Sequence, residues 1–289
     1  MVESKTISRP VTGQITFPRV YCVPDPAGCM AVVIERWPRK WWRLGLWDLT
    51  GGGYDGGAWF RGTLFPQRCD LSPGGRWFCY FAFKNDSNWP AGSTYNALSR
   101  PPWLNALAAW QEHGTWSRGF HFVTEPGVWE VGAPTVGEAH VRGVVGLRQT
   151  APAQFATERR RGWRESASTP PRDLEDVWDE RRDVVMEKPA PGGDGSTALT
   201  VTGKFEAFRG LPDTWPPNPA AYQLHRRKTR SVVEGAQWAD WTPDGKLAVV
   251  TQGGALQIRN GMGNQILHEF VLRDVQPQPT PAPDWAGEW

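Results

Sequence analysis

The stretch Trp241-Thr242-Pro243-Asp244-Gly245-Lys246-Leu247-Ala248-Val249-Val250 holds a turn that feeds a strand, and the chain uses this device more than once. Proline fixes φ at the second turn position, Asp or Gly follows, and the last glycine accepts the positive φ that side chains resist. The apolar run behind the basic residue has the length and branching of a strand. Leu71-Ser72-Pro73-Gly74-Gly75-Arg76-Trp77-Phe78-Cys79-Tyr80 repeats the order hydroxyl, proline, turn, glycine, basic residue, apolar strand. Val23 to Val33 is a looser copy. Beyond the copy at 241, Gly253 and Gly254 open a second turn into Ala255-Leu256-Gln257-Ile258-Arg259. Beyond the copy at 23, the chain runs through Arg39 and Lys40 into Arg43-Leu44-Gly45-Leu46-Trp47.

On these residues the segment Ala236 to Val250 resembles one blade of a β-propeller, a family in which an S/T-P-D-G-[KR] hairpin joins the second and third strands of a blade. Leu71 to Phe83 is similar, with Gly74 in place of the usual Asp, and Pro24 to Leu49 matches in outline; together they cover about a fifth of the chain. Pro24 and Pro73 are 49 residues apart, near the kelch-like period of about 50. Pro73 and Pro243 are 170 apart, so an insertion or degenerate blades must lie between them. The resemblance implies an all-β fold of antiparallel, propeller-like repeats with a long exposed insertion; a β-sandwich is the alternative.

The organisation expected from this is β blades over residues 1–150, an insertion or linker over 151–196, further blades over 197–275, and a proline-rich tail over 276–289. Strands are expected at Met30–Ile34, Arg43–Trp47 and Arg76–Phe83. Pro102 to Trp110 has helical spacing, but its place after the Trp77–Phe83 strand predicts an outer strand. The insertion carries Arg159-Arg160-Arg161, a Ser/Thr/Pro run to Pro171, mixed charge from Asp173 to Arg182 and a Pro/Gly run to Gly195, which read as exposed loop with one short strand at Val184-Val185-Met186. The tail is expected to be extended and partly disordered unless Trp285 and Trp289 dock on the body.

Composition narrows the function classes. Of 289 residues, 39% are apolar and 21% charged, enough to bury a core. A net charge of +2 gives no chain-wide basic field for nucleic acid or an anionic membrane. With 18 Trp, 32 Gly and 26 Pro, short strands and turns are favoured over long helices. No apolar run reaches the roughly 18 residues of a span, and the first residues carry no hydrophobic signal, so a cytoplasmic, bacterial-type protein is expected. The four cysteines are then expected as reduced thiols, with Cys79 a small buried hydrophobe.

The strongest local candidate for binding is Arg36, Trp37, Arg39, Lys40, Trp41, Trp42 and Arg43, where four cations interleave with three indoles, the residue types that anchor interfaces or stack on bases and sugars. The alternative is a hairpin whose indoles pack into the sheet and whose cations are solvated. Trp47, Trp59, Trp77, Trp89, Trp103, Trp110, Trp116 and Trp129 recur through the first half, read either as sheet packing or as sugar platforms. No catalytic residue, metal ligand set or cofactor is assigned: the histidines are scattered, and there is no C-x-x-C, Walker sequence or G-x-S-x-G elbow. His121, between Phe120 and Phe122, marks a strand face, and the run Gly51 to Gly57 reads as a flexible loop. A hidden carboxylate pair drawn from Asp55, Asp70, Glu125, Glu130 and Asp240 stays open.

The functional expectation is a non-enzymatic recognition or scaffolding module that binds a protein partner. The alternative is a carbohydrate-active enzyme or glycan-binding protein using Trp platforms and two carboxylates. Nucleic-acid binding through Arg159 to Arg164 together with Arg36 to Arg43 is a third, disfavoured reading.

Overall fold

The computed structural model describes residues 17–86, 88–115, 117–123, 128–140, 145–150, 155–167, 183–193, 195–204, 221–273 and 277–289. Sheet 1 is a meander of β1 (Arg19–Pro24), β2 (Met30–Trp37), β3 (Trp41–Asp48) and β4 (Tyr54–Arg61). Next come β5 (Thr63–Leu64), β6 (Asp70–Leu71), β7 (Phe78–Phe83), β8 (Thr94–Ser99), β9 (Ala108–Gln111), β10 (Gly119–Val123), β11 (Val136–Gly137) and β12 (Gly146–Thr150). Sheet 2 joins β11, β9, β8, β7 and β5, with β6 also on β7; sheet 3 pairs β10 with β12. A short helix, α1 (Ala156–Arg160), leads to sheet 4: β13 (Arg164–Glu165), β14 (Asp183–Pro189), β15 (Thr197–Lys204), β16 (Ala221–Arg226) and β17 (Thr229–Val232). Sheet 5 is β18 (Ala236–Trp241), β19 (Leu247–Thr251), β20 (Ala255–Arg259) and β21 (Ile266–Val271). The fold is all-β, and neighbouring strands within every sheet run antiparallel.

The repeated turn sits at one place in three sheets. Gly28 donates to the Asp25 carbonyl at 3.0 Å, Gly75 to Ser72 at 2.9 Å and Gly245 to Thr242 at 3.0 Å, each glycine with φ between 72° and 77°. The residue before the proline closes the turn with its side chain: Asp25 Oδ1 accepts from the Met30 amide (3.1 Å), Ser72 Oγ from Trp77 (2.9 Å) and Thr242 Oγ1 from Lys246 (3.0 Å). A hydroxyl or carboxylate is therefore needed there to satisfy an amide that the turn leaves unpaired. Two expectations change. The matching prolines are Pro26, Pro73 and Pro243, so the first spacing is 47 residues rather than 49. The hairpin also joins the first and second strands of sheets 1 and 5, not the second and third.

Sheet 1 is buried on both faces, which explains continuous apolar runs such as Ala31 to Ile34 where one-sided strands would alternate. Tyr21, Val23, Val32, Ile34, Trp42 and Leu44 pack on Leu71, Phe78, Tyr80 and Ala97 of sheet 2. Their neighbours Val20, Cys22, Ala31, Val33 and Trp47 pack on Trp238, Ala248, Val250, Leu256 and Ile258 of sheet 5. Sheet 2 meets sheet 3 through Trp77, Cys79 and Trp110 against Phe120, Phe122 and Leu147. Sheet 5 meets sheet 4 through Trp241, Leu247 and Val249 against Val184, Met186, Leu199 and Tyr222. The packing order is thus 3, 2, 1, 5, 4. Each large side chain fully withdrawn from water, such as Ile34, Leu44 or Phe78, contributes about 1.5–3 kcal/mol.

Part of the stretch expected to be exposed loop is central instead. Phe155, Ala156, Thr157, Glu158 and Trp163 are buried, and β14 spans seven residues inside sheet 4 rather than a short strand at Val184–Met186. Arg161 is the tie: its Nη2 donates to Asp70 Oδ1 (2.6 Å) and to the Leu71 carbonyl (3.1 Å), and its Nε to the Pro24 carbonyl (2.7 Å). Asp70 Oδ2 accepts the Phe122 amide at 2.9 Å, so one carboxylate joins α1, β6 and β10. Trp163 Nε1 reaches Asp240 of β18 at 3.3 Å, and Ala156 N reaches Gln67 at 3.0 Å. Residues 168–182 lie outside the described residues, as do Trp116 and Glu125.

Of the outer strand expected over Pro102–Trp110 only the end is strand, β9 from Ala108 to Gln111, and it lies between β8 and β11; Pro101 and Pro102 have no N–H for a ladder, and the chain turns there, with Trp103 N donating to the Arg100 carbonyl. The Gly51–Gly57 run is a turn only to Gly53; Tyr54 to Gly57 begins β4. In the tail, the Trp289 ring lies 5.4 Å from Trp77 and 5.2 Å from His140, and Ala286 is fully buried, so the docking condition is met.

Arg161→Ala should cost about 3–5 kcal/mol in urea unfolding, because it strands the buried Asp70 carboxylate. Arg159→Ala, which removes only a half-exposed ion pair with Glu165, should change stability by less than about 1 kcal/mol.

Candidate functional site

The basic hairpin joins β2 and β3, with Trp37 facing Trp41, Arg36 facing Trp42 and Glu35 facing Arg43. Trp37 and Trp42 are buried; their indole nitrogens donate to Glu35 Oε2 and to the Gly62 carbonyl, both at 2.9 Å. Arg36, Trp41 and Arg43 are half-buried, and Arg39 and Lys40 are exposed at the tip with φ of 60° and 63°. The guanidinium of Arg36 lies 5.6 Å over the Trp42 ring, Arg43 5.6 Å over Trp59 and Arg61 5.9 Å over Trp41. The buried Glu35 also accepts from the Tyr54 hydroxyl; burial is the main cause that raises its carboxyl, with Tyr54, Arg43 and Trp37 opposing. Two of the three indoles therefore pack into the sheet, while the tip cations face water.

Trp59, on β4, links this hairpin to a second feature. Its ring is 6.2 Å from Trp37 and 6.3 Å from Trp41. Strand β4 is lean in side chains, and at two of its glycines other groups take the place of a side chain, a flexible guanidinium at Gly56 and backbone at Gly57. A Cβ on Gly56 would meet the Arg43 guanidinium at 2.0 Å, and one on Gly57 would meet the Pro102 carbonyl oxygen at 2.2 Å. The Pro102 carbonyl instead accepts the Ala58 amide at 3.0 Å, which fixes the 102–106 segment against β4.

Between them lies a cleft of about 420 Å³, lined by Trp59, Phe60, Tyr80, Trp89, Tyr95 and Trp103 among others, a size typical of ligand sites. Lys84 and Asp86 stand in its wall and pair with each other at 3.3 Å. The Tyr80 hydroxyl donates to the Leu104 carbonyl at 3.0 Å. Thr280 and Ala282 of the tail also line the cleft. The sequence named Trp59, Trp89 and Trp103 only within a general list of indoles; nothing local marks Lys84, Asp86 or Thr280, which reach the cleft through tertiary packing.

The chain matches no family model and no curated protein. Among solved structures it is similar to the beta-propeller domain of the Trilobed protease from Pyrococcus furiosus, described as an open velcro topology, at 11% identity over 85% of this chain and 84% of that one, with a TM-score of 0.31. It is also similar to Saccharomyces cerevisiae Sqt1, at 9% identity over 87% and 62% with a TM-score of 0.22. A third is the complex of the fission yeast SREBP-SCAP binding domains, at 10% identity over 94% and 68% with a TM-score of 0.21.

The candidate carboxylates lie in different settings. Asp70 is paired with Arg161, Asp240 with Lys188 at 2.7 Å and Glu130 with Arg148 at 2.8 Å, while Asp55 is exposed on β4. Arg160 and Arg161 turn toward Asp70 rather than outward. Among the described residues no three His, Cys, Asp or Glu side chains gather into a metal-binding group, and no helix is long and apolar enough to cross a membrane. Sequence reading missed Glu158, buried on α1 with the Tyr21 hydroxyl 3.3 Å away. Burial first, with the Asp240 charge adding, pushes its carboxyl up to about 7. His121, half-buried between Phe120 and Phe122, is pushed down to about 4 by burial and by Arg160.

Gly57→Ala should destabilise the protein by about 1–3 kcal/mol, read by thermal unfolding, since the added methyl meets backbone. Glu158 carries a folded pKa above its unfolded value near 4.5, so its contribution is full below about pH 4.5 and is lost as pH rises through about 7. Glu158→Gln should therefore flatten urea stability between those values and stabilise at pH 8 by on the order of 3 kcal/mol. The opposite, acid-side loss from His121, as pH falls from about 6.5 through about 4, should remain.

Proposed function

We propose that this protein is a non-enzymatic recognition module that binds a protein partner through the aromatic cleft and the basic hairpin beside it. The observation that carries this reading is the continuity of the two through Trp59, which touches Trp37 and Trp41 on one side and lines the cleft on the other. The result is a surface of indoles and guanidinium groups running from Arg39 and Lys40 to Trp103. Trp and Arg are the residues that most often carry binding energy in interfaces, and strand positions with ring contacts hold Trp37, Trp41, Arg43 and Trp59 here, which lowers the ordering cost. We further read the five sheets as blades of an irregular propeller, which the three equivalent turns support. Gly28 of one turn lies against Pro243 of another, and the Gly74 amide of the third reaches Asp25 Oδ2 at 3.3 Å.

The test is affinity capture of the tagged protein from its host, followed by reconstitution with the purified candidate partner. Trp42 is buried and unsuitable for substitution, so the variants are Arg39→Glu/Lys40→Glu at the tip and Trp103→Ala in the cleft. A partner that binds the wild type stoichiometrically and loses at least about tenfold in affinity with Trp103→Ala supports the reading. Reversal of the tip charges should mainly slow association, more so at low salt. A reconstituted complex unaffected by both variants would place the interface elsewhere and sink the proposal.

A further inference from the structure

The C-terminal segment and the cleft share a chemistry, and this inference rests on the cleft being the recognition site. Residues 277–283 read Pro-Gln-Pro-Thr-Pro-Ala-Pro, with a proline at every second position and no ionisable side chain. Pro283 has φ −65° and ψ 155°, the polyproline II conformation. The segment is held just downstream: Arg100 Nη1 donates to the Trp285 carbonyl at 2.7 Å, its guanidinium lies 5.0 Å over the Trp285 ring, and Ala286 is fully buried. From that anchor the chain passes the cleft as a strap, Thr280 and Ala282 lying in its wall, and about 420 Å³ remains open beside them.

What remains open matches the strap. Trp59, Trp89 and Trp103 line it, indole rings pack well on ring C–H groups, and proline-rich segments dock in aromatic-lined grooves because their helix is already formed and little entropy is lost. Lys84 and Asp86 are the ionised groups of the lining and pair with each other, so the cleft carries no net charge, as its own strap carries none. A glycan would stack on the same rings but needs hydrogen-bond partners for several hydroxyls per sugar. Of the polar side chains in the wall, Lys84, Asp86 and the Tyr80 hydroxyl are already engaged, while Tyr95, Asn105 and Thr280 offer donors for the carbonyls that a polyproline backbone presents.

We propose that the cleft takes an uncharged, proline-rich segment of a partner protein, laid in polyproline II form on Trp59, Trp89 and Trp103 beside the protein's own strap.

The experiment is a fluorescence-anisotropy titration of the full chain with a labelled ten-residue polyproline peptide, and with a glycine–serine peptide of equal length. Saturable, salt-insensitive binding of polyproline alone is expected. It should be weakened at least about tenfold by Trp103→Ala, and by Asn105→Trp, which adds bulk at an exposed position of the lining while leaving the core untouched. Unchanged thermal unfolding of Asn105→Trp keeps the test valid should Trp103→Ala fold poorly. Absence of polyproline binding, or saturable binding of a β-1,4-linked glucose hexasaccharide in its place, overturns the proposal. The partner captured above separates the two failures: if it binds the wild type and is lost with Asn105→Trp while polyproline does not bind, the ligand class is wrong and the recognition site stands. If Asn105→Trp affects neither ligand, both fall.

Discussion

The ion pair of Asp70 and Arg161 is the point on which the arrangement of sheets depends. An aspartate with no exposed side-chain surface is tolerable only if its charge is paired and its oxygens are hydrogen-bonded, and here the guanidinium serves one oxygen and the Phe122 amide the other. Arg161 in turn satisfies the carbonyls of Pro24 and Leu71 at the ends of β1 and β6. Trp163, two residues on, bonds Asp240 of β18 and packs on Tyr222 of β16. Strands of sheets 1, 2, 4 and 5 thus meet one short segment directly, and sheet 3 meets it through Asp70; hydrogen-bond geometry fixes these partners in addition to the close-packed apolar contacts between the sheets.

A second constraint builds the cleft by omission. Glycines at 56 and 57 remove the side chains that would hold Arg43 and Pro102 away from β4. Arg43 then lies over Trp59, and the 102–106 segment comes close enough to form a wall. The same prolines that stop this segment from joining the sheet leave Trp103 and Leu104 facing the cleft rather than buried in a ladder. Backbone choices that weaken a strand locally therefore create a concave aromatic surface, and the C-terminal strap completes it.

The indoles divide by geometry rather than by type. Trp37, Trp42 and Trp47 are buried packing residues, two of them with a hydrogen bond for the indole nitrogen, as an aromatic with a polar edge requires. Trp59, Trp89 and Trp103 are half-exposed: Trp59 lies on the edge strand β4, and Trp89 and Trp103 lie in the connections before and after β8, where no strand covers them. No local sequence signal separates the two groups, since each lies within short runs rich in Gly, Pro and aromatic residues.

The sequence by itself determined the all-β class, the three equivalent turns and the strands around them, because a proline, a glycine with positive φ and a capping side-chain oxygen act within a few residues. It also located the basic hairpin, and it made an ordered tail conditional on Trp285 and Trp289 docking; Trp289 packs on Trp77 and Trp285 is held by Arg100. Tertiary structure alone decided that residues 155–163 are central, since their arginines look solvated until Asp70, 91 residues away, is brought to Arg161. It decided that the Gly51–Gly57 run splits between turn and strand, because only the approach of Arg43 and Pro102 gives those glycines a purpose. It also assembled the cleft from β4, the 84–106 region and the tail. Such a site rests on contacts between residues far apart in the chain, and spacing along the chain carries no record of them.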